Sequence, residues 1–170
     1  MFVTITAVNN APVVTLPGAS VVYDAAGTTP IILDAAATVT DVDSVNFDTG
    51  ILTANVTTAC DTADRLSVRN EGTGVGQIGV SGAAVTYNPG SGAVTIGTIA
   101  TEFDCATPPP LLAITLTANA DVTATQALVR NLTYSSTSLT PPTTQRTSDA
   151  CRGGPDNGPM RAADDAERQR

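Results

Sequence analysis

The densest group of polar side chains in this chain lies in one short segment, where three carboxylates and a serine fall within eight positions. The carboxylates are Asp41, Asp43 and Asp48, the serine is Ser44, and Gly50 closes the turn. Carboxylate and hydroxyl oxygens are the ligands that a hard cation such as Ca²⁺ takes in proteins. The pattern therefore indicates a cation site. The alternative is a solvated turn in which the Asp side chains bond to nearby backbone groups.

Catalysis is not expected from this composition. The chain has no His, so serine or cysteine triads would lack their base. It has no Lys either, so Schiff-base chemistry would lack its amine. Paired carboxylates remain, either Glu102 with Asp104 or Asp61 with Asp64. Glycoside hydrolysis by such a pair needs a cleft with aromatic side chains for sugar stacking, and aromatic residues make up only 4% of the chain. We therefore interpret the protein as non-catalytic.

The composition indicates one all-β domain. The chain has 170 residues, 42% of them hydrophobic, which is enough for one core, and Thr, Val and Ile, which favour strands, are frequent. A net charge of −8 argues against nucleic-acid binding, because phosphate neutralisation needs clustered basic residues. No stretch approaches the ~18 apolar residues of a spanning helix, so we expect no membrane insertion. No segment has the form of a secretory leader, so the leader of an exported protein would lie elsewhere, and we expect the chain to be part of a longer one.

Short apolar runs separated by turn residues predict many strands. One hairpin is expected to join residues 78–80 to 85–87 through the turn at 81–84. This density of short strands favours an antiparallel sandwich or barrel. The predicted strands are 3–8, 13–16, 20–23, 31–33, 37–40, 51–57, 66–69, 77–80, 84–87, 93–99, 111–117 and 131–135.

One short helix is expected to interrupt the strands. Thr123 and Gln126 have the spacing of a capping box and precede the apolar residues 127–129. Asn131 is expected to end the helix after about two turns.

Two of the three cysteines are candidates for a disulfide. Cys60 and Cys105 both lie in predicted loops, and their spacing fits neither a redox nor a zinc motif. A structural disulfide in an oxidising compartment is therefore expected, with two isolated thiols as the alternative. Cys151 would remain unpaired.

The chain changes character near Pro141 and Pro142. Residues 143–170 contain no alternating apolar pattern, and glycines and prolines interrupt them. We expect a disordered or non-native tail at 143–170 that supplies no strand, with the last strand position vacant or filled by residues 2–8. The expected domain occupies residues 11–142, preceded by the end strand of an earlier repeat and a linker at 1–10.

The order of several segments resembles the cadherin-like repeats of large bacterial surface proteins and adhesins. The resemblance covers roughly residues 3–140, and the order and spacing of its segments are more specific than any one of them. The segments are AVNNAPVV at 7–14, DVDSVNFDTG at 41–50, DRLSVRNEGTG at 64–74, QIGV at 77–80 and QALVRNLTY at 126–134. The resemblance implies an Ig-like antiparallel β-sandwich with one short helix, arrayed in tandem.

The resemblance also implies a set of calcium ligands. In such repeats the ion cluster at a junction takes an acidic residue from the strand after the junction, the Asp-x-Asp turn and the linker. The matching positions are Asp24, then Asp41 with Asp43, then Asn9 with Asn10, and Asp48 belongs to the same acidic segment. Asp24 replaces a longer Glu, and Asn10 replaces a carboxylate. Because each lost charge weakens binding, the expected dissociation constant is roughly 10⁻⁴ to 10⁻³ M.

The resulting functional hypothesis is a calcium-stiffened structural or adhesive repeat of a secreted or cell-surface protein. Its expected partners are neighbouring repeats of the same protein, and a cell-surface protein or glycan is a further candidate. The alternative is a carbohydrate- or protein-binding β-sandwich whose acidic turn holds no metal.

Overall fold

The computed structural model describes residues 9–25, 29–106 and 110–153. The predicted strand at 3–8, the suggestion that residues 2–8 replace a final strand, and most of the predicted tail lie outside these ranges. The described elements are β1 (Val13–Thr15), β2 (Ile31–Ile32), β3 (Thr38–Thr40), β4 (Ile51–Thr58), β5 (Asp64–Val68), β6 (Ile78–Ser81), β7 (Ala84–Tyr87), β8 (Val94–Thr101), β9 (Leu111–Leu116), α1 (Val122–Arg130), β10 (Leu132–Ser136) and β11 (Thr147–Gly153).

The described strands form three antiparallel sheets, which confirms the all-β class with one short helix. β1 pairs with β3, and β10 lies between β2 and β5. The largest sheet has six strands in the order β11-β4-β9-β8-β7-β6. Side chains in β4 alternate between buried and more exposed positions, with Leu52, Ala54 and Val56 buried. Successive side chains of a strand point to opposite faces, so one face of β4 packs into the core. Buried side chains of all three sheets and of α1 form one apolar cluster.

The predicted hairpin is confirmed. β6 and β7 pair in antiparallel register, with Ser81 opposite Ala84. The two residues between them are Gly82 and Ala83, and Gly82 has φ of 57°, a backbone conformation that glycine adopts without steric cost.

The predicted strand at residues 20–23 does not form. Val21 and Val22 in this segment are exposed, and Gly18 just before it donates its N–H to Asp34 Oδ2 at 2.8 Å instead of to a neighbouring strand. The apolar pattern alone was misleading because the segment has no strand partner among the described residues.

The prediction that residues 143–170 supply no strand is wrong for β11. This strand pairs with β4 along seven residues at the edge of the largest sheet. Its one buried side chain among those described is Ala150, which lies opposite Ala54, so the strand packs against the core without a large apolar residue. Backbone pairing with β4 and the burial of one alanine are sufficient to form this strand. Neither feature produces an alternating apolar pattern in the sequence.

The helix begins earlier than the capping-box pattern predicts. Asp121 is the N-cap, and its Oδ1 accepts a hydrogen bond from the N–H of Ala124 at 2.7 Å. Gln126 does not reach back to the cap, since its Oε1 accepts from the N–H of Val39 at 3.1 Å. Asn131 ends the helix as predicted.

This capping arrangement gives a prediction for two neighbouring residues. Asp121→Ala should lower the free energy of unfolding by about 1 kcal/mol, because it leaves a helix N–H without its acceptor. Thr123→Ala, the matched control at the position predicted from sequence, should change it by less than about 0.5 kcal/mol. Urea unfolding of both variants measures the difference. Equal losses, or a larger loss for Thr123→Ala, would contradict the assignment.

Candidate metal centre

The acidic turn follows β3 directly and is organised by Asp41. Its Oδ1 accepts hydrogen bonds from the N–H groups of Asp43, at 3.1 Å, and Ser44, at 2.7 Å. Its Oδ2 is buried and has no hydrogen-bond partner among the described residues. One oxygen of Asp41 therefore builds the turn, and the other has no donor.

The backbone donors also set the ionisation of Asp41. Partial burial opposes its negative charge, but the hydrogen bonds from the N–H groups of Ser44 and Asp43 outweigh that effect and hold the pKa of Asp41 below its usual value of 3.8. The side chain is therefore an anion at neutral pH, which is the form that binds a cation.

The segment before β1 lies against this turn. The N–H of Asn10 donates to Asp43 Oδ2 at 2.9 Å, and the hydroxyl of Ser44 donates to Asn9 Oδ1 at 3.3 Å. The pairing of β1 with β3, in which Val13 lies opposite Thr40, brings the two segments together. Four of the six sequence-predicted ligands, Asn9, Asn10, Asp41 and Asp43, are thus neighbours.

Asp48 lies further along the same loop, in its own turn. Its Oδ1 accepts from the N–H of Thr49 at 3.1 Å, and its N–H donates to Asn46 Oδ1 at 3.2 Å. Both hydrogen bonds are exposed. Asp48 therefore lies in the same loop as the cluster, but these bonds do not connect it to the cluster.

Asp24 lies at the other end of β4 from the acidic turn. Its neighbour Tyr23 donates its hydroxyl to the carbonyl of Ser136, which pairs with Asp64. Asp64 binds Arg146, whose neighbour Thr147 lies opposite Thr58, the last residue of β4. The acidic turn instead leads into the first residue of β4. The eight residues of that strand span roughly 25 Å, so Asp24 is not brought to the cluster.

The clustered residues fit a weak site for a hard cation. Asp41 and Asp43 supply two carboxylates, and Asn9 supplies an amide oxygen, all of them donors that Ca²⁺ accepts. The unpaired Oδ2 of Asp41 is the oxygen most in need of a partner. Two carboxylates are few for calcium, so a dissociation constant of roughly 10⁻⁴ to 10⁻³ M remains the prediction.

A second polar cluster surrounds Asp64, which is fully buried. Its Oδ1 accepts from the Tyr134 hydroxyl at 2.5 Å, and its Oδ2 accepts from Arg146 Nε at 2.6 Å and from the N–H of Asp61 at 2.9 Å. This network ties β5 and β10 to the chain that enters β11. The sequence gives no local signal for this network, because Arg146 lies more than eighty positions from Asp64 in a segment predicted to be a tail.

The network also affects Tyr134. Burial, together with the hydrogen bond to Asp64, raises the pKa of Tyr134 well above its ordinary value of 10.0. The tyrosine is therefore neutral when folded, and its contribution to stability is present below pH of about 10 and is lost as the pH rises further.

The predicted disulfide between Cys60 and Cys105 is confirmed, with the two Cα atoms 5.8 Å apart. The potential ligand atoms of Cys60, Asp64 and Cys105 lie within 4.8 Å of one another, a spacing that suits a metal ion. These residues nevertheless do not fit a metal here, because the sulfurs are bonded to each other and both Asp64 oxygens already accept hydrogen bonds. The cluster is structural. The side chain of Cys151, predicted to be unpaired, lies outside the described part.

Comparison of the chain with known proteins found no matching family model, no matching curated relative and no matching solved structure. The described strands and helix define the class of the protein as an antiparallel all-β domain with one short helix. Across the described ranges, no helix has the length and apolar character needed to cross a membrane.

Proposed function

We propose that this protein is a cadherin-like β-sandwich repeat that acts as a non-catalytic structural or adhesive spacer and is stiffened by calcium at its junction. The observation that carries the proposal is the contact between the segment before β1 and the acidic turn. Asn10 is bound to Asp43, and Ser44 is bound to Asn9, so a cation held by the turn would also hold the junction.

The chemistry of the turn supports a cation in this position. A buried carboxylate oxygen without a donor is costly, and Asp41 Oδ2 has none among the residues that the structure describes. A calcium ion would satisfy it and would offset the repulsion between the Asp41 and Asp43 carboxylates. The ion would supply positive charge, and oxygens of Asp41, Asp43 and Asn9 would hold it, while Asp41 orients the turn through its other oxygen.

The proposed setting is outside the cell, as a secreted or surface protein whose partners are neighbouring repeats. The disulfide supports an oxidising compartment, because such bonds persist there and are rare in the cytosol. The net charge of −8 is compatible with a cation-binding protein and disfavours nucleic acid as a partner.

Calcium should therefore raise the melting temperature of the domain. At a calcium concentration about ten times a dissociation constant of about 1 mM, mass action adds about 1.4 kcal/mol of stability. For a chain of this size that is a rise of roughly 3–6 °C. Calorimetry in EDTA and in calcium measures it, with magnesium at equal ionic strength as the salt control.

Two isosteric variants make this test specific. Asp43→Asn should abolish the calcium-dependent rise, because it removes one of the two clustered carboxylates. Asp24→Asn removes the same charge at the far end of β4 and should keep the rise. If wild type melts identically in EDTA and calcium, or if Asp24→Asn alone loses the response, the proposal fails.

A further inference from the structure

A pocket of about 410 Å³ lies between one face of α1 and the ends of β2, β5 and β7. The helix contributes four residues with spacings of three and four positions, which places them on one face of α1. They are Thr123, Gln126, Ala127 and Arg130. Ile32 and Tyr87, the last residues of β2 and β7, and Arg69, which follows β5, also line the pocket. None of its described lining residues is a proposed calcium ligand.

This pocket gathers positive charge in an acidic chain. The protein has a net charge of −8 and only eight basic residues, and two of these, Arg69 and Arg130, line the pocket. Glu71 is the one acidic residue among its described lining residues, so two positive charges and one negative charge leave a net charge of +1. Glu71 is paired with Arg69 at 3.6 Å, so Arg130 is the cation that a ligand would neutralise.

Glu71 is also fixed in position by hydrogen bonds. Its Oε2 accepts from the N–H of Ile78 and from Nδ2 of Asn131, both at 3.2 Å. Asn131 is itself held, because its Nδ2 also donates to the carbonyl of Ala127 in α1 at 3.0 Å. The wall of the pocket opposite the helix is therefore tied to the end of the helix, and the positions of its polar groups are set before a ligand binds.

Arg130 is oriented by one hydrogen bond and keeps its two terminal nitrogens for a ligand. Its Nε donates to the carbonyl of Ala37 at 2.7 Å, which fixes the guanidinium plane. Within the described ranges, Nη1 and Nη2 make neither a hydrogen bond nor an ion pair, and neither nitrogen is buried. Two adjacent N–H donors on a planar cation match the two oxygens of a carboxylate.

Two neutral side chains of the lining also present polar groups to the pocket. Gln126 Oε1 accepts from the N–H of Val39 at 3.1 Å, which holds the amide and leaves its Nε2 as a donor. The hydroxyl of Tyr87 forms no hydrogen bond with the part of the chain that the structure describes, and neither it nor Gln126 Nε2 is buried. Such groups suit the hydroxyls of a ligand, whereas an apolar molecule would leave them without partners.

We propose that this pocket binds a small, hydroxyl-rich carboxylate of the size of one sugar ring, the chemistry of a uronic acid. Arg130 takes the carboxylate through Nη1 and Nη2, and Gln126, Tyr87 and Glu71 take ring hydroxyls. The net charge of +1 matches one carboxylate, and a volume of about 410 Å³ holds one sugar ring. The inference goes beyond the calcium proposal and does not depend on it.

An NMR titration of the ¹⁵N-labelled full chain with D-glucuronate and with D-galacturonate, in calcium-free buffer, tests the proposal. At least one of them should shift the amides of α1 saturably, with a dissociation constant of roughly 1 mM for a ligand of this size. The amide of that sugar lacks the charge and acetate lacks the hydroxyls, so each should bind at least about tenfold more weakly.

Three results would overturn the proposal. They are no saturable shift with either uronate, equal affinity for the sugar amide, and equal affinity for acetate. Glucose 6-phosphate is the further comparison, because its phosphate carries more negative charge than the pocket can neutralise. Tighter binding of glucose 6-phosphate than of both uronates would contradict the assignment of a carboxylate.

Arg130→Gln should weaken the binding of the uronate about tenfold to a hundredfold, as expected when a charged donor is lost. Arg130→Lys keeps the charge without the paired donors and should lose less affinity. Arg65→Gln is the matched control, because Arg65 donates to the carbonyls of Thr62 and Asp64 and does not line the pocket. Unchanged affinity in a folded Arg130→Gln variant would refute the role of Arg130.

A second pair of variants covers the case in which Arg130→Gln does not fold. Thr123 is exposed in the first turn of α1, where an added carboxylate is favourable for the helix. Thr123→Glu should weaken uronate binding at least about threefold through charge repulsion, whereas Thr123→Gln, of the same size and uncharged, should keep it. Equal affinities of these two variants would show that the carboxylate binds elsewhere and would end the proposal.

Discussion

Replacing Asp64 by leucine is expected to lower the free energy of unfolding by about 3–5 kcal/mol, one of the two largest effects predicted for this protein. The change removes the acceptor of Tyr134 and leaves the guanidinium of Arg146, whose side chain is only 13% exposed, without its counter-charge. A buried charge without a partner is costly because the low-dielectric surroundings do not replace its hydration. Chemical denaturation at pH 7 measures the loss.

A double-mutant cycle separates the lost ion pair from lost packing. Arg146→Met alone should cost about as much as Asp64→Leu, while the double variant should cost clearly less than the sum of the two. Arg65→Met is the control and should cost about 1 kcal/mol or less, since within the described residues its guanidinium donates to the backbone carbonyls of Thr62 and Asp64. Additive losses in the cycle would contradict a coupled pair.

Loss of the disulfide is the second large effect. Cys60 and Cys105 are 45 residues apart in the sequence. A disulfide that closes a loop of that length restricts the unfolded chain and is expected to stabilise the fold by about 4 kcal/mol. Cys60→Ala with Cys105→Ala should therefore lower the free energy of unfolding by about that amount.

The third cysteine provides the control for this experiment. Cys151→Ser leaves the bridge intact and should behave like wild type under non-reducing conditions. Adding a reductant should destabilise wild type and Cys151→Ser equally and leave the double alanine variant unchanged. Reductant-insensitive unfolding of wild type would contradict a stabilising bridge.

The sequence predicted the strand-rich class because β propensity and turn chemistry are local properties. The 78–87 hairpin is set by an apolar pattern around a glycine turn, and both are readable without knowledge of the fold. The cysteine pair was also predicted, because Cys60 and Cys105 lie in predicted loops and their spacing fits neither a redox nor a zinc motif.

The failures come from interactions between distant parts of the chain. β11 is a strand because β4 offers it a backbone partner and room for Ala150, and neither is visible in residues 143–170. Asp24 matched a sequence pattern, yet the contact of Tyr23 with Ser136 takes it to the other end of β4. The Asp64 network was missed because a buried aspartate and a tail arginine become partners only after the sheets have formed.

The candidate site was partly predictable for a related reason. Asp41 and Asp43 lie two positions apart, and the turn they build is stabilised by local bonds that the residue types themselves favour. Their contact with Asn9 and Asn10 depends on the pairing of β1 with β3. Sequence order suggested this contact only through the resemblance to a family of repeats.

A calcium titration followed by two-dimensional ¹H–¹⁵N NMR tests the proposed function most directly. The proposal predicts saturable shifts in the millimolar range at the amides of Asn9, Asn10, Asp43 and Ser44, with the amide of Asp24 unchanged. It also predicts that Asp43→Asn removes these shifts. Amides of the acidic turn that do not move up to saturating calcium, or shifts centred on another part of the chain, would contradict a calcium-stiffened junction.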